Sequence, residues 1–285
     1  MIITLNRRFT PSRWRRLFCL LFFVAAGIGA IGSSRAISTQ GGPDGPFAAV
    51  SPLTPLTPPC PPGSDVITVL AENFDNVTPP LLPAGWTATN AIDPDGIFWQ
   101  TSNTVLPLPP ADSPPNAAWV NDPNVVSDKY LDSATFFIFE AYWAQLTFWH
   151  NFNLQSGFDG GVLEISSFYL NNGAFTDVTD PAVGGSFVTG GYNATIAIGT
   201  GSPIAGRQAW SGNSGGFITT TVNLPLLVVD GKLRWRMASD NNGSSEGWRV
   251  DNITVTECHF TGTPAPIPAR FTPTPRSRPT PVPRP

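Results

Sequence analysis

Short runs in which hydrophobic and polar residues alternate recur along the middle of the chain, and this pattern predicts β-strands. The clearest runs cover residues 66–70, 144–150, 161–165, 217–224, 232–237 and 247–256, with further candidates at 97–99, 117–120, 130–139 and 192–198. Helical periodicity nowhere extends beyond about two turns. About ten short strands joined by long loops predict one all-β domain, a jelly-roll-like antiparallel β-sandwich over residues 66–258.

The segments on either side of the predicted sandwich have a different composition. In residues 1–36, five arginines precede an apolar run over 17–32, and a small-x-small site follows at Ser34-Arg35-Ala36, which predicts a cleaved signal peptide. An uncleaved anchor is the alternative. Residues 37–65 form a Gly/Pro/Ser-rich lead-in, and residues 259–285 a Pro/Arg-rich tail that we expect to be disordered. The sequence therefore predicts a secreted or surface protein without a membrane span after cleavage.

Composition supports strands and argues against nucleic-acid binding. The chain has 9 Trp and 19 Phe but only 2 Met, a bias towards residues that favour strands. The net charge is -4, and most of the arginines lie at the two ends, which leaves the middle acidic. An acidic domain has no general attraction to nucleic acid, whereas its negative charge is suited to binding cations.

Cys60 and Cys258 bracket the strand-rich region and are the two cysteines that remain after removal of the signal peptide. In an exported protein such a pair predicts a disulfide. Two cysteines are too few for a zinc site of the Cys type.

Acidic residues mark both ends of the predicted sandwich. Asp251 and Asn252 interrupt the alternation of the last strand, where a carboxylate costs desolvation unless it is paired. Glu72 and Asp75 follow the first strand. We therefore expect the first and last strands to lie side by side and to share a cation. The alternative is that these carboxylates pair with Arg249 or cap turns.

The order of several short motifs resembles the cleaved-adhesin or choice-of-anchor J domains of bacterial secreted and surface proteins, which are relatives of the MAM domain. The motifs are ENFD at 72–75, LPAGW at 82–86, DPDG at 93–96 with Trp99, SDKYL at 127–131, LTFWH at 146–150, DGG at 159–161, and the closing run 248–255. The resemblance covers about residues 66–257. It departs from the family in the long Gly-rich stretch within 171–216.

The resemblance implies a jelly-roll sandwich, structural calcium and a role in adhesion or accessory binding to an extracellular carbohydrate or surface protein. Carried over by position, the calcium ligands are Glu72, Asp75 and Asp251, with Asn252 and Asp159 as further candidates. Calcium prefers six to eight oxygen ligands of these kinds. Asp93 and Asp95 resemble part of a calcium loop, but they lack its remaining acidic positions, so a turn is the better interpretation.

Candidate ligand contacts and catalytic residues are few. Trp210 lies in a polar stretch beside Arg207, which predicts an exposed aromatic contact; Trp119, Trp235 and Trp248 are predicted core residues. Ser214 lies in a GNSGG segment like that of trypsin-like proteases, yet a serine nucleophile needs a base.

The two histidines are His150, in an apolar run and predicted to be a satisfied core histidine, and His259 at the domain edge. The prediction is a non-catalytic binding module. The first alternative is a secreted hydrolase, with Ser214 as its nucleophile, or an accessory domain of a secreted peptidase, and the second is a structural envelope protein.

Overall fold

The computed structural model describes Cys60 and residues 64–92, 94–139 and 141–260. The predicted signal peptide, most of the lead-in, the tail beyond residue 260, Asp93 and Glu140 lie outside the described residues. The described residues form an antiparallel β-sandwich, which confirms the predicted fold class. Among them no helix has the length and hydropathy that a membrane span requires.

The larger sheet has the strand order β10-β13-β7-β15-β4-β3, and β1 pairs with the second half of β15. Its strands are β1 Ser64–Glu72, β3 Gln100–Ser102, β4 Ala117–Asp122, β7 Ala141–Asn153, β10 Ser186–Thr189, β13 Ile218–Asn223 and β15 Ser245–Phe260. β15 is the longest strand and lies at the centre, because β7 pairs with one of its edges while β4 and β1 share the other.

The smaller sheet has the order β2-β5-β14-β8-β9, with β6 also pairing with β14. Its strands are β2 Thr87–Ile92, β5 Ser127–Asp132, β6 Phe136–Ile138, β8 Gly160–Ser166, β9 Thr176–Asp177 and β14 Val228–Ser239. A separate two-stranded hairpin consists of β11 Ala194–Thr195 and β12 Gln208–Ala209, and the single helix of the described residues is α1 Phe168–Asn171.

Aromatic side chains fill the space between the sheets. Trp235 of the smaller sheet packs edge-on against Phe148 of the larger sheet, with ring centroids 5.5 Å apart. Gly161 on β8 leaves room for Trp248, since a Cβ atom there would lie 2.5 Å from the Trp248 ring. One core therefore joins the two sheets, as face-to-face packing requires.

The Gly-rich segment, whose role the sequence left open, covers part of the outer face of the smaller sheet. Ile196, Ile204 and Ala209 from this segment pack on Val162 and Ala238 of that sheet and form a second small hydrophobic cluster. The segment also delivers Trp210 into the main core. It is therefore an integral part of the sandwich.

Candidate functional site

The carboxylates predicted to bind calcium lie where β1 and β15 run side by side. Glu72 ends β1 and pairs with Ile253, while Asp251 pairs with Trp149 just before an irregularity in the pairing of β15 with β7 that contains Asn252. Asp75 follows β1, and its charge acts on Asp251. The structure thus confirms that the first and last strands are neighbours and that they bring these residues into one region.

Hydrogen bonds from the backbone occupy part of each carboxylate, as the capping alternative predicts. The bonds are Asp112 N and Ser113 N to Asp251 Oδ2 (2.8 and 2.9 Å), Phe74 N to Glu72 Oε1 (2.7 Å) and Asn116 N to Asp75 Oδ1 (3.1 Å). Asn252 Oδ1 accepts from the Ser113 hydroxyl at 3.0 Å. Arg249, the other alternative partner, directs its guanidinium to backbone carbonyls instead.

The donor set of this region suits a hard cation, although its acidic side chains do not converge on one point. Glu72 and Asn252 line a common surface pocket with Asn73 and Asn76, so its polar side-chain lining consists of carboxylate, amide and hydroxyl groups. Within the described ranges, no three Asp, Glu, His or Cys side chains are grouped as a metal site. Burial, and to a smaller extent the charge of Asp75, raise the pKa of Asp251 to about 6 against backbone hydrogen bonds that lower it.

Asp159, the fifth predicted metal ligand, lies elsewhere. It is near Asp122 at the end of β4, and Asp122 pairs with Ser245 at the start of β15. Ser245 and Asp251 are six residues apart along that strand, or about 20 Å at the usual rise per residue. The structure therefore does not bring Asp159 together with Glu72 and Asp251, because they lie towards different ends of the larger sheet.

The Asp95 turn, which resembles part of a calcium loop, is held by an ammonium group. Lys129 Nζ is completely buried and lies 2.8 Å from both Asp95 carboxylate oxygens and 2.7 Å from Asn121 Oδ1. Although burial raises the pKa of the Asp95 carboxyl, the hydrogen bonds from Asn121 and Lys129 outweigh that effect and lower it. The structure thus supports the interpretation of this segment as a turn, with a side-chain cation built into it.

The prediction that Trp210 is an exposed ligand contact is wrong. Trp210 is 1% exposed, its indole N–H donates to Gly190 O at 2.8 Å, and its ring packs 4.7 Å from Tyr192 and 4.8 Å from His150. Of its polar sequence neighbours, Gln208 is exposed, whereas Ser211 is itself buried and donates to Asp159 O at 2.7 Å. Trp119, Trp235 and Trp248 are buried, as predicted.

Arg207 is engaged within the protein. Its guanidinium bonds Glu164 Oε1 at 2.6 Å and Asp177 Oδ2 at 2.8 Å, with 27% of the side chain exposed. Burial lowers the pKa of Arg207, but its bonds to these two carboxylates outweigh that effect and raise it. Arg207 therefore fastens the Gly-rich segment to β8 and β9, and two carboxylates of the protein already neutralise the guanidinium that was predicted to contact a ligand.

Ser214 and His150 do not form a nucleophile–base pair. The Ser214 hydroxyl donates to backbone and amide oxygens, the shortest bond being 2.8 Å to Gly216 O. His150 accepts from Trp248 Nε1 at Nδ1 (3.2 Å), so its Nε2–H faces Thr220 Oγ1 at 2.8 Å. Burial lowers the pKa of His150 to about 3. His150 is a neutral, satisfied core histidine, as predicted.

An uncharged platform lies on the outer face of the larger sheet. On β7, Leu146, Phe148 and His150 point into the core, while the alternate residues are half-buried on the opposite face. Cross-strand pairing aligns that face in rows across β13, β7 and β15: Thr221–Thr147–Thr254 and Asn223–Gln145–Thr256. We call these six residues the hydroxyl–amide platform. None of its side chains carries a charge.

Two tryptophans on the same face of β7 flank the platform. Trp149 and Trp143 are both half-buried and lie two residues beyond the platform in opposite directions. Six residues of strand separate them, about 20 Å. Half-buried indoles beside hydroxyl and amide groups provide a stacking surface next to hydrogen-bonding groups.

A proline-rich loop, residues 103–116, forms a rim beside Trp149. Hydrogen bonds from the next cross-strand row, Trp119–Arg249–Asn151, hold this loop in place. All three side chains donate to carbonyl groups of the loop, and Arg249 also donates to Ser102 O at the end of β3. Trp119 Nε1 bonds Leu106 O at 2.8 Å, and Asn151 Nδ2 bonds Leu108 O at 3.0 Å. Leu108 itself is 60% exposed. The rim therefore presents apolar surface next to the platform.

The sequence did not single out Trp149, Trp143 or the platform. Alternation along β7 shows that two faces exist but does not identify which one is covered by the second sheet. The row of threonines became visible only when the registers of β13 and β15 with β7 were known. The available signal was the spacing W-x-Q-x-T-x-W within residues 143–149, in which only uncharged residues occupy the outward positions.

The fold and its outer face define the chain as a β-sandwich domain with a neutral, partly aromatic surface. No protein-family model matches the chain, and no curated protein matches it. The resemblance to choice-of-anchor J and MAM domains therefore stays a prediction.

Among solved structures, the chain is similar to the K2 cleaved adhesin domain of Lys-gingipain, with a TM-score of 0.41 and 22% identity over 65% of this chain and 96% of that domain. The K1 domain from Porphyromonas gingivalis gives a TM-score of 0.38 and 16% identity, covering 66% and 97%. The CBM22-1 xylan-binding domain of Xyn10C from Paenibacillus barcinonensis gives 0.37 and 10%, covering 68% and 96%. At TM-scores below 0.5, these similarities support no conclusion about ligand or function.

Proposed function

We propose that this protein is a secreted, non-catalytic binding module that recognises a neutral carbohydrate polymer on the outer face of its larger sheet. The observation that carries this proposal is the hydroxyl–amide platform between Trp149 and Trp143. Sugar rings present apolar faces that stack on aromatic side chains and hydroxyl groups that pair with uncharged hydrogen-bonding groups. An extended polymer suits the distance between the two indoles.

The absence of charge on the platform selects the ligand class. Its side chains are threonine hydroxyls and the amides of Gln145 and Asn223, which bond each other at 3.2 Å. A polyanion would need Lys or Arg on this face, and a basic protein surface would need carboxylates. A neutral glycan loses no charge solvation when it binds here. We therefore favour carbohydrate over a charged protein partner.

Trp149→Ala should weaken binding to a neutral polysaccharide about tenfold, because losing one stacked ring costs about 1.4 kcal/mol. The measurement is affinity electrophoresis of the full chain in gels that contain soluble β-glucan, galactan, mannan or arabinoxylan, followed by calorimetry on the best ligand. Thr147→Val, which keeps the shape but removes a hydroxyl, should weaken binding to a smaller extent.

The control for the Trp149 prediction is Tyr169→Ala, which removes a 63% exposed aromatic residue on α1. It should leave affinity unchanged. Unaltered binding by Trp149→Ala would place the ligand on another surface. Wild-type binding to anionic polymers alone, with none of the neutral ones retained, would contradict the proposed ligand class.

We propose further that calcium stabilises the junction of β1 and β15. Glu72, Asp75 and Asp251 would draw together around the ion to supply carboxylate oxygens and Asn252 an amide oxygen, a donor set that fits calcium. The ion would offset the repulsion between Asp75 and Asp251 and would join the two ends of the domain. It would leave the outer-face platform to bind the ligand.

Calcium should raise the melting temperature of the full chain by about 5–10 °C at a concentration 100-fold above its Kd, relative to EDTA. Asp75→Asn should lose this increment. It is a better test than Asp251→Ala, because Asp251 also accepts the N–H groups of Asp112 and Ser113 and its removal would loosen that loop. An increment of full size in Asp75→Asn would show that no ion binds at this junction.

A further inference from the structure

A lysine, an asparagine and an aspartate form a closed triangle of contacts between the two sheets. Lys129 lies on β5 of the smaller sheet, Asn121 on β4 of the larger sheet, and Asp95 in the connection between β2 and β3. Lys129 Nζ donates to Asn121 Oδ1 at 2.7 Å and to both Asp95 carboxylate oxygens at 2.8 Å. Asn121 Nδ2 donates to Asp95 Oδ2 at 2.8 Å. The same carboxylate therefore contacts the lysine nitrogen and the amide nitrogen.

These contacts bring together a nucleophile, an electrophile and a proton carrier. The carbonyl carbon of Asn121 lies one bond, about 1.23 Å, from the oxygen that Lys129 contacts. When an amine attacks such a carbon, a base must remove a proton from the amine and an acid must protonate the departing amide nitrogen. Asp95 Oδ2 lies 2.8 Å from both nitrogens, so one carboxyl group is within reach of both proton transfers.

Burial favours this chemistry over a permanent ion pair. The Lys129 side chain is completely buried, and 19% of the Asp95 side chain is exposed. A buried ammonium and a buried carboxylate have lost most of their hydration, which lowers the cost of neutralising both by moving a proton from one to the other. Although burial raises the pKa of Asp95, its hydrogen bonds from Asn121 and Lys129 lower that pKa, so the group starts as the carboxylate that can accept the proton.

We propose that Lys129 and Asn121 react to form an intramolecular isopeptide bond, with Asp95 carrying the protons. Lys129 gives a proton to Asp95, and the lone pair of Nζ then forms a bond to Asn121 Cγ while the carbonyl π electrons move onto Oδ1. Asp95 passes its proton to Nδ2, the Cγ–Nδ2 bond breaks with its electron pair on nitrogen, and the carbonyl re-forms. The second proton of Nζ moves through Asp95 to the departing ammonia, which leaves as ammonium.

The reaction balances without a co-reactant. One ammonium group and one primary amide are consumed, and one secondary amide and one ammonium ion are formed, so atoms, electrons and charge are all conserved. The new bond joins β4 of the larger sheet to β5 of the smaller sheet. Reductants do not cleave an amide, so this cross-link would persist where the Cys60–Cys258 disulfide is reduced.

The first test is the mass of one peptide from the reduced full chain. Chymotrypsin cuts after Trp119 and Tyr130, and the resulting peptide 120–130 contains both Asn121 and Lys129. The cross-link removes one ammonia, so this peptide should be about 17 Da lighter than its sequence requires. Chain isolated from inclusion bodies in urea should give the full peptide mass and should lose ammonia only after refolding, because the fold brings the three groups together.

Trypsin distinguishes the cross-link from a succinimide at Asn121, which loses the same mass but leaves the lysine unmodified. Lys129 is the only lysine or arginine within residues 36–206. Trypsin does not cut after an acylated lysine. The denatured and reduced chain should therefore stay uncut from residue 36 to residue 207 if the isopeptide bond has formed, whereas a succinimide would leave it cleavable after Lys129.

Matched variants separate the reacting groups from their surroundings. Asp95→Asn and Asn121→Ala should each give the full mass and should be cut after Lys129. Asn124→Ala, at an exposed position in the same peptide, should keep both the loss of mass and the resistance to trypsin. Full mass and cleavage after Lys129 in the folded wild type would overturn the proposal, whatever the stability of the variants. A blocked lysine with a loss of about 18 Da, shared with a peptide that contains Asp95, would also overturn it, because the lysine would then be bonded to that carboxyl group.

Discussion

Arg249→Met should lower the free energy of unfolding by about 4 kcal/mol, because it would leave several buried carbonyl groups without donors. The Arg249 guanidinium bonds Pro107 O at 2.9 Å, Pro110 O at 2.7 Å and Ser102 O at 3.1 Å, and it also bonds Val105 O. The side chain is completely buried. Burial lowers the pKa of Arg249 to about 10, so the group stays charged at neutral pH.

The loss should be concentrated in the rim loop, residues 103–116. Prolines lack an N–H group, so this segment cannot satisfy its own carbonyls by internal pairing and depends on donors from the sheet. Hydrogen exchange and limited proteolysis should therefore detect opening of the loop in Arg249→Met before global unfolding. Since the loop borders Trp149, affinity for the neutral polysaccharide should fall as well.

Arg249→Lys is the informative control for the importance of the guanidinium. An ammonium group keeps the charge but offers three donors on a flexible stem, so it cannot reproduce the planar contacts to four carbonyls. We expect it to recover less than half of the lost stability, as judged from urea unfolding midpoints. A fully stable Arg249→Lys chain would show that charge alone, rather than the geometry of the guanidinium, holds the loop.

The local sequence pattern was sufficient to predict the positions of the long strands and part of their arrangement. The alternation over residues 144–150 corresponds to the centre of β7, and the run over 247–256 lies within β15. The predicted closeness of the first and last strands is realised as direct pairing, from Ser64 with Phe260 to Glu72 with Ile253. This pairing extends the strands slightly beyond the predicted boundaries of 66 and 258, because backbone pairing continues past the last alternating residue.

Positions that depend on close approach of distant segments could not be predicted. Trp210 has polar neighbours in sequence, yet it is buried because Gly160 and Gly161 let its strand and the Trp248 ring approach β8. The short strands of the Gly-rich segment carry too few residues to show a period. Tertiary packing, and not local polarity, determined the exposure of Trp210.

In the candidate sites, too, the sequence reveals some residues through the local pattern, whereas others become apparent only from the pairing and packing of distant segments. Acidic residues at the junction of β1 and β15 were recognisable because Asp251 interrupts an apolar alternation. The sequence gives no signal for Asp122, because a carboxylate at the end of a strand is common. Only the fold places Asp122 against Asp159. Likewise, Lys129 next to Asp128 resembles a solvated pair, whereas the structure buries its ammonium group against Asp95.

The Cys60–Cys258 disulfide is formed in the structure, with Cα atoms 5.5 Å apart and 198 residues between the positions. Replacing both cysteines with serine should lower the free energy of unfolding by about 5 kcal/mol, because the cross-link removes the entropy of a very long loop from the unfolded chain. The corresponding fall in melting temperature is about 10–20 °C. Cys19→Ser should be present in all chains compared, so that no third thiol exchanges with the pair.

Wild-type protein treated with reductant should unfold at the same temperature as the double serine variant, since both lack the same constraint. Hydrogen exchange should show where native stability falls: β1 pairs with β15 alone in its sheet, so its amides near Ser64 should lose protection first. Calcium should restore protection towards Glu72, because the proposed ion at the junction of β1 and β15 binds the other end of the strand. A change of less than about 1 kcal/mol in the double variant would contradict the loop-closure estimate and show that the unfolded chain is already constrained by other contacts.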